Sequence, residues 1–235
     1  MDEASQFRAK QQIVGIGWVS SMYDEKFGVP RQSGVIPESI ATIHFHPEFG
    51  HENAFRKLDQ FSHIWVIFSF NKAIGKGWSD LVRPPELGGN EKVGIFASRS
   101  PFRPNHLGLS VLKLEEIYKH PDYGWSLKVS GADVVHGTPV YDVKPYVPYA
   151  DAIPDALSGY SSPPAKMEVQ LMCEKPESMG AEIYACLMAT IQCDPRPQYQ
   201  EGKQREYGMR IAGWNVCWRV EGDIAMVSEI TLACE

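Results

Sequence analysis

The sequence predicts a mainly β protein, and three features of the chain point to that class. Seven short segments are rich in β-branched and aromatic residues and are separated by Gly, Pro and Asn, namely residues 13–18, 40–45, 63–70, 92–96, 109–117, 125–130 and 140–143. Strands and long helices do not alternate along the chain. No Gly-x-Gly-x-x-Gly motif joins a strand to a helix, which disfavours a Rossmann-type site. Together these features favour a β-barrel or a β-sandwich.

Two of these segments differ in how many faces of the predicted strand are buried. Apolar and polar residues alternate along residues 125–130, which indicates one buried face and one solvated face. Residues 63–70, HIWVIFSF, are almost continuously apolar. This pattern predicts a central strand that is covered on both faces.

A proline-rich boundary precedes a smaller C-terminal part. Residues 145–164, PYVPYADAIPDALSGYSSPP, restrict the backbone and block long elements. Beyond them the patterns predict a strand at 167–171, a helix that begins near 176–178 and continues to 191, and a hairpin formed by residues 214–220 and 224–232. We interpret this tail as a small α+β appendage.

Composition limits the function classes. The 235 residues carry a net charge of −6, so any contact with RNA must be local. The chain has five cysteines, all in its C-terminal third and without CxxC spacing, which indicates reduced thiols in a cytosolic protein. The N-terminus lacks a signal-peptide pattern and no apolar run is long enough to span a membrane, so we expect neither export nor membrane insertion.

The densest candidate for chemistry is the segment GIFASRSPFRPNHLGLS at residues 94–110. Pro101 and Pro104 fix the backbone, so Arg99 and Arg103 lose less entropy when they bind a planar anion. A turn whose arginines only form ion pairs with nearby acids would explain the same residues. From the residues alone, a binding site and such a structural turn are equally favoured.

Two further loops carry weaker signals. Residues 133–146 contain Gly-Thr-Pro between apolar runs, and Asp142 and Lys144 project from one face of the strand that follows. A plain hairpin turn is the simpler interpretation of that segment. Residues 27–32 place Arg31 and Gln32 in an early loop, where they could bind a carboxylate or a base edge.

A histidine group raises the alternative of a metal site. His44 and His46 form an HxH pair that a later Glu and His could complete, as in cupin-type sites. Glu48 and Glu52 lie at the wrong distance from His46 for that pattern, which favours surface histidines.

Taken together, these segments resemble the TsaA-like (TrmO) family of S-adenosylmethionine-dependent tRNA methyltransferases. The resemblance rests on VPRQ at 29–32, AFRKLDQFSHIWVIFSF at 54–70, RPPELGGN at 83–90, the segment 94–110, GTPVYDVKPYVPYAD at 137–151, DPRPQY at 194–199 and WNVCWRV at 214–220. Two positions depart from the family pattern. His136 stands where the family usually has Asp, and Ser98 stands where it usually has Thr.

The resemblance implies a TsaA-like β-barrel that binds the cofactor in residues 1–160, a small α+β domain in residues 161–235, and a homodimer with S-adenosylmethionine near the subunit interface. Carried over residue by residue, the cofactor contacts are Pro30, Arg31, Gln32, His63, Ile64, Arg99, Leu109, His136, Gly137, Thr138 and Pro139.

The implied reaction is cytoplasmic methylation of N6 of threonylcarbamoyladenosine beside the anticodon in tRNA. Asp142 and His136 are the candidates for the proton acceptor, and Arg103, Asn105, Lys144 and Arg196 are the candidates for contacts with RNA phosphates or the threonyl carboxylate. Two rival functions remain open: a metal-dependent β-barrel enzyme that uses the histidines at 44–52, and a non-catalytic RNA-binding adaptor.

Overall fold

The computed structural model describes residues 12–196 and 205–233, in which β-strand residues outnumber helical residues, and this confirms the predicted mainly β class. The strands are β1 Gly17–Ser21, β2 Ala41–Phe45, β3 His63–Ser69, β4 Leu81–Val82, β5 Val93–Gly94, β6 Leu107–His120, β7 Gly124–Ser130, β8 Thr138–Pro145, β9 Glu168–Leu171, β10 Glu206–Ile211, β11 Trp214–Glu221 and β12 Ile224–Leu232. The α-helices are α1 Pro148–Asp151 and α2 Ala181–Gln192.

Six strands form one antiparallel sheet in the cyclic order β1-β2-β7-β6-β3-β8. The two ends of the sheet meet because β1 pairs with both β2 and β8, so that Val19 lies opposite Ile43 on one side and Thr138 on the other. The sheet therefore closes into a barrel without an open edge. Strands β4 and β5 form a separate two-stranded sheet.

Strand β3 shows how the barrel core is filled. Ile64, Val66 and Phe68 point inward and are buried, whereas Trp65 and Ile67 on the other face are half-buried. The sequence predicts burial on both faces of this strand, but only its inner face is fully buried. Opposite Phe68 lies Gly108, where an added Cβ would come within 2.3 Å of the Phe68 ring. The glycine lets that ring fill the end of the core.

The C-terminal part is a four-stranded sheet in the order β10-β11-β12-β9, with β9 parallel to β12, and α2 contributes to its core. Trp218 is fully buried in this core, and its ring stacks with those of Tyr207 and Phe27 at centroid distances of 5.8 and 5.9 Å. Because Phe27 and Tyr23 follow β1, the N-terminal segment forms part of the C-terminal core. The predicted helix and final hairpin are both present.

Several predicted boundaries are wrong. The helix begins at Ala181 with Gly180 as its N-cap, because residues 176–179 form a turn closed by the bond from Met179 N–H to the Pro176 carbonyl. The strand predicted at 92–96 ends at Gly94, and Ile95–Ala97 is a 3-10 helix. The first strand is expected from residue 13 but begins at Gly17, because pairing with β2 starts at Gly17.

Four of the five cysteines lie in the described residues, and Cys173, Cys186, Cys193 and Cys217 are all free thiols there. None of the helices in the described part of the chain is long and apolar enough to cross a membrane.

A buried hydroxyl links the N-terminal segment to α2 and gives a stability prediction. Tyr23 is fully buried, and its Oη lies 3.0 Å from Thr190 Oγ1. Replacing Tyr23 by phenylalanine is expected to lower the free energy of unfolding by about 1–3 kcal/mol, because the buried Thr190 hydroxyl loses its partner. Urea unfolding measures the change. Tyr149→Phe, at a position that is 94% exposed, is the matched control, and an equal loss in both variants would contradict the assignment.

Candidate active site

A cavity of about 460 Å³ opens where the barrel meets three loops. Its walls come from residues 26–32 after β1, the end of β3 with the 3-10 helix Asn71–Ala73, residues 98–103 before β6, the start of β6, and residues 133–138 before β8. These segments meet because β3 lies between β6 and β8 in the sheet. The volume falls within the range of about 300–1,000 Å³ that small-molecule sites usually have.

Arg99 joins two of these loops, because its Nη1 donates a hydrogen bond to Gln32 Oε1. The loop that carries Arg99 is braced by Arg103, whose Nη1 donates to the carbonyls of Ser98 at 2.6 Å and Ile95 at 3.2 Å. The brace and Pro101 stiffen this loop, and the hydrogen bond to Gln32 holds the Arg99 guanidinium at the cavity wall. A group ordered in advance loses less entropy on binding.

The Gly-Thr-Pro turn reaches the same cavity. Gly137 has φ of 76°, a conformation that glycine adopts without strain, and its N–H donates to the Val19 carbonyl at 2.8 Å. The Gly137 carbonyl accepts a hydrogen bond from Asn71 Nδ2 at 3.2 Å, and both Asn71 and Thr138 line the cavity. The arginine loop, residues 98–103, and the Gly-Thr-Pro turn therefore meet at one site.

Asp133 is a candidate that the sequence interpretation missed. Its Oδ1 accepts a hydrogen bond from Ser110 Oγ at 2.7 Å, and both residues line the cavity. Burial raises the pKa of the Asp133 carboxyl above its ordinary value, although the Ser110 hydrogen bond and the charge of Arg99 act in the opposite direction. Asp133 is the one acidic residue among the described residues that line the cavity. A half-buried carboxyl with a raised pKa is suited to proton transfer.

The structure brings together about half of the cofactor contacts expected from the resemblance. The cavity wall contains Pro30, Arg31, Gln32, Arg99, Leu109 and Thr138. It does not contain His63, Ile64, His136, Gly137 or Pro139. The side chain of Ile64 points into the barrel core, and His63 Nδ1 lies 2.9 Å from Ser62 Oγ. The exposed His136 donates its backbone N–H to the Tyr23 carbonyl.

The two proton acceptors suggested by the sequence lie outside this cavity wall. Asp142 forms an ion pair with Lys144 at 3.0 Å, and its Oδ1 accepts the N–H of Val143. His136 is exposed on the turn beside Thr138. Neither side chain lines the cavity, whereas Asp133 does.

The four predicted RNA contacts also differ in placement. Arg103 lines the cavity, and Asn105 and Lys144 are exposed on loop and strand surfaces. Arg196 is only 6% exposed, and its Nε and Nη2 donate to the Asp194 carboxylate at 2.7 and 2.9 Å. The guanidinium of Arg196 is thus paired inside the protein, and the structure does not place it on a surface where RNA would contact it. Its backbone carbonyl instead accepts a hydrogen bond from Arg31 Nη2 at 2.9 Å. Residues 197–199 of the DPRPQY motif lie outside the described residues.

The histidines considered as metal ligands lie away from the cavity. His44 is 3% exposed, and its ring nitrogens lie 3.0 Å from Ser126 Oγ and 3.1 Å from Ser20 Oγ. Both nitrogens of His44 are therefore already engaged by hydroxyl groups. No cluster of three or more potential metal ligands occurs within residues 12–196 and 205–233.

The burial of His44 predicts a pH dependence of stability. Burial, followed by the nearby His120 and His136, lowers the pKa of His44 below its ordinary value. The unfolded chain therefore protonates His44 more readily than the folded chain does. Burial of the neutral His44 is consequently without a protonation cost above the unfolded pKa of about 6.5, and the protein loses stability as the pH falls below that value. Urea unfolding at pH 7.5 and pH 5.5 should show a smaller loss in His44→Gln than in the wild type. The exposed His51→Gln is the control, and equal pH dependence in all three proteins would refute the prediction.

A smaller cavity of about 210 Å³ adjoins the first one. The two share residues 29–32 and Lys26, and the smaller cavity continues to Thr190, Cys193 and Asp194 of the C-terminal part. The loop at residues 26–32 therefore separates the barrel cavity from the C-terminal part and contacts both.

Two family models match the chain. The tRNA-methyltransferase O N-terminal domain matches residues 18–152, and the TrmO C-terminal domain matches residues 164–233. The chain therefore belongs to the tRNA-methyltransferase O family.

Two relatives and a solved structure match between 72 and 95% of this chain. The chain is 39% identical over 219 residues to the tRNA (adenine(37)-N6)-methyltransferase of Escherichia coli, which covers 89% of this chain and 93% of that protein. It is 47% identical over 172 residues to the protein of the same name from Eikenella corrodens, covering 72% of this chain and 97% of that protein. A crystal structure of TrmO from Pseudomonas aeruginosa matches with a TM-score of 0.76 and 31% identity, covering 95% of this chain and all of that one.

Proposed function

We propose that this protein transfers a methyl group from S-adenosylmethionine to N6 of adenosine 37 in tRNA, and that the adenosine carries a threonylcarbamoyl group. Family membership and the names of its relatives support the methyltransferase activity, the nucleotide position and the cofactor. The observation that carries the proposal is one cavity in which Arg99, Gln32 and Asp133 meet.

The residues present in the cavity fit S-adenosylmethionine. Its single carboxylate matches the guanidinium of Arg99, which presents several donors in a fixed plane. Trp65 and Phe70 line the same wall and offer ring faces, which attract cations and pack against an adenine. We propose that Pro30, Arg31, Gln32, Leu109 and Thr138 complete the binding surface.

The protein's task in such a reaction is to position the target and to accept a proton. The cofactor supplies a methyl group on a sulfonium sulfur, which is a good leaving group. As the bond from carbon to N6 forms and the bond to sulfur breaks, the electron pair stays on sulfur and N6 loses its proton. We assign that proton to the Asp133 carboxylate, the one acid in the described cavity wall. Ser110 holds Oδ1 of Asp133 in place.

The nature of the target reduces the work required of the enzyme. A base in the anticodon loop is already unpaired, so little energy is needed to bring it into a cavity. An acyl substituent on N6 makes the remaining N–H more acidic than that of a plain exocyclic amine, so one carboxylate of raised pKa is a sufficient base.

Three further features belong to the same proposal. Residues 1–160 form the cofactor-binding unit and residues 161–235 form the appended unit. The protein acts in the cytoplasm, where its substrate is found. It acts as a homodimer, because Tyr149, Ile153 and Leu157 are 94, 71 and 98% exposed and a second copy would remove this apolar surface from water. Sedimentation velocity measures the oligomeric state.

A methylation assay tests the function directly. Purified protein, S-adenosylmethionine and tRNA are combined, with tRNA that either carries or lacks the threonylcarbamoyl group at adenosine 37. We expect methyl transfer only to the threonylcarbamoylated tRNA. Binding of tRNA without methyl transfer would favour the adaptor function. Loss of activity on addition of a chelator, restored by metal, would favour the metal-dependent function.

A further inference from the structure

Two lysines from separate segments lie at the cavity, and a third lysine follows one of them in the chain. Lys26 lies in the loop after β1, and Lys72 lies in the 3-10 helix Asn71–Ala73 after β3, and both line the cavity. Lys76 follows in a turn closed by its backbone N–H, which donates to the Ala73 carbonyl at 3.0 Å. All three side chains are exposed. Burial is the main cause that lowers the pKa of Lys26, and the charges of the nearby Lys76 and Lys72 lower it further.

The charge of this cavity is opposite in sign to that of the whole protein. Its described wall holds five basic residues, Lys26, Arg31, Lys72, Arg99 and Arg103, and one acid, Asp133. The whole chain carries a net charge of −6. Positive charge is therefore concentrated where the ligand binds, although acids outnumber bases elsewhere.

The arginines of the cavity are held by the protein, whereas the lysines are not. Arg31 donates to the Arg196 carbonyl, Arg99 donates to Gln32, and Arg103 donates to the carbonyls of Ile95 and Ser98. Within the described parts of the chain, Lys26, Lys72 and Lys76 do not take part in any of the ion pairs. Neighbouring ammonium groups without counter-charges repel one another, and a bound anion would relieve that repulsion.

The methyl donor does not account for this excess of positive charge. S-adenosylmethionine has one carboxylate, one ammonium and one sulfonium, so it is a cation overall and needs a single guanidinium. Additional cations at the mouth repel it. The second ligand of the site must therefore be strongly anionic, and the RNA backbone has that character.

We propose that Lys26, Lys72 and Lys76 bind the phosphates that flank the target nucleotide and hold the RNA backbone across the mouth of the cavity. This inference rests on the proposed function and adds to it the surface that RNA contacts. The lysines fix the position of the backbone, and the cavity recognises the base that enters it. Lysine suits this task because its compact charge on a flexible stem binds phosphate without a fixed orientation.

The test compares two triple variants with the same loss of charge. In the first, Lys26, Lys72 and Lys76 are each replaced by glutamine. In the control, Lys113, Lys119 and Lys175, which are exposed and do not line the cavity, are replaced in the same way. The affinity for tRNA is measured at several salt concentrations, and the affinity for S-adenosylmethionine is measured by calorimetry.

We expect the first variant to bind tRNA roughly 10–100-fold more weakly at low salt. The slope of log Kd against log salt should fall by about 2–3, since each of the three phosphate contacts contributes about 0.7–0.9. Its affinity for S-adenosylmethionine should be retained or slightly improved. The control should keep most of the wild-type slope. Equal changes in the two variants, or an unchanged slope in the first, would overturn the proposal.

Two further comparisons separate the possible failures. If the lysines bind the threonyl carboxylate instead of phosphates, the loss of affinity will appear only with threonylcarbamoylated tRNA, and the proposal is wrong. With phosphate contacts, the loss is the same for tRNA with and without that group. If the wild type methylates no tRNA, the proposed function itself fails. If the wild type is active and the first variant binds tRNA normally, only the lysine site fails.

Discussion

Replacement of Asp133 by asparagine is expected to reduce kcat for tRNA methylation by about 10²–10⁴-fold, the usual contribution of one positioned base. Asparagine has nearly the same size and can still accept the hydrogen bond that Ser110 donates at 2.7 Å. It lacks an oxygen basic enough to take the N6 proton. Single-turnover methyl transfer at saturating S-adenosylmethionine measures the effect, because this step does not depend on product release.

The pH profile distinguishes a base from a structural residue. Burial raises the pKa of Asp133, so wild-type activity should fall with decreasing pH at a higher pH than an ordinary carboxyl group would produce. Ser110→Ala removes the hydrogen bond that lowers this pKa, and the acid limb should move further up. Asp133→Asn should lose the limb. Asp142→Asn, outside the cavity wall, is the control, and an Asp133→Asn protein with the wild-type rate and profile would contradict the assignment.

The loops of the site could be recognised in the sequence because their conformations depend on local chemistry. Pro101 restricts its own backbone, and Gly137 supplies the left-handed conformation of its turn. The sequence identifies Arg99 for the same reason, since polar groups on rigid loops are common components of binding sites, whereas Gln32 carries a weaker signal and is assigned to the cofactor only by the family resemblance. The short β-branched segments also predicted the strands, because that preference is a property of each residue.

Features that depend on distant contacts could not be predicted. Asp133 gains its raised pKa from burial beside Ser110, which is 23 residues earlier in the chain. Ile64 faces the core because its strand is in register with Leu112 of β6 and Pro145 of β8. The start of β1 also depends on a neighbour, since a Cβ on Gly17 would lie 2.1 Å from the His44 carbonyl oxygen. Composition and spacing contain no information on these pairings.

The tail shows the same limit. The sequence presents Arg196 as a candidate RNA contact, but Asp194, two residues earlier, binds its guanidinium, and Met167 Sδ lies 3.8 Å from its Nη2. An arginine and an aspartate two residues apart do not show which side of the chain is buried. The folded structure therefore changes Arg196 from a proposed RNA contact into a residue that positions Arg31.

Replacement of Arg99 by alanine is expected to weaken S-adenosylmethionine binding by about 1.5–3 kcal/mol, or roughly 10–150-fold, the scale of a hydrogen bond to a charged group. Arg99 lines the cavity and is held by Gln32, so the guanidinium is ready to bind a carboxylate. Its removal also takes away a positive charge that lowers the pKa of Asp133, so the acid limb of the activity should shift to higher pH.

Arg99→Lys is the matched comparison, because it keeps the charge and loses the planar pair of donors. If recognition of the carboxylate needs that geometry, lysine will restore the position of the acid limb but only part of the affinity. Calorimetry with S-adenosylmethionine measures the affinity, and thermal unfolding of each variant confirms that it is folded. Full affinity in a folded Arg99→Ala protein would exclude Arg99 as the carboxylate partner. The carboxylate would then have to bind Arg31. Arg31 is the alternative because it lines the cavity wall, whereas the guanidinium of Arg103 is engaged by the carbonyls of its own loop.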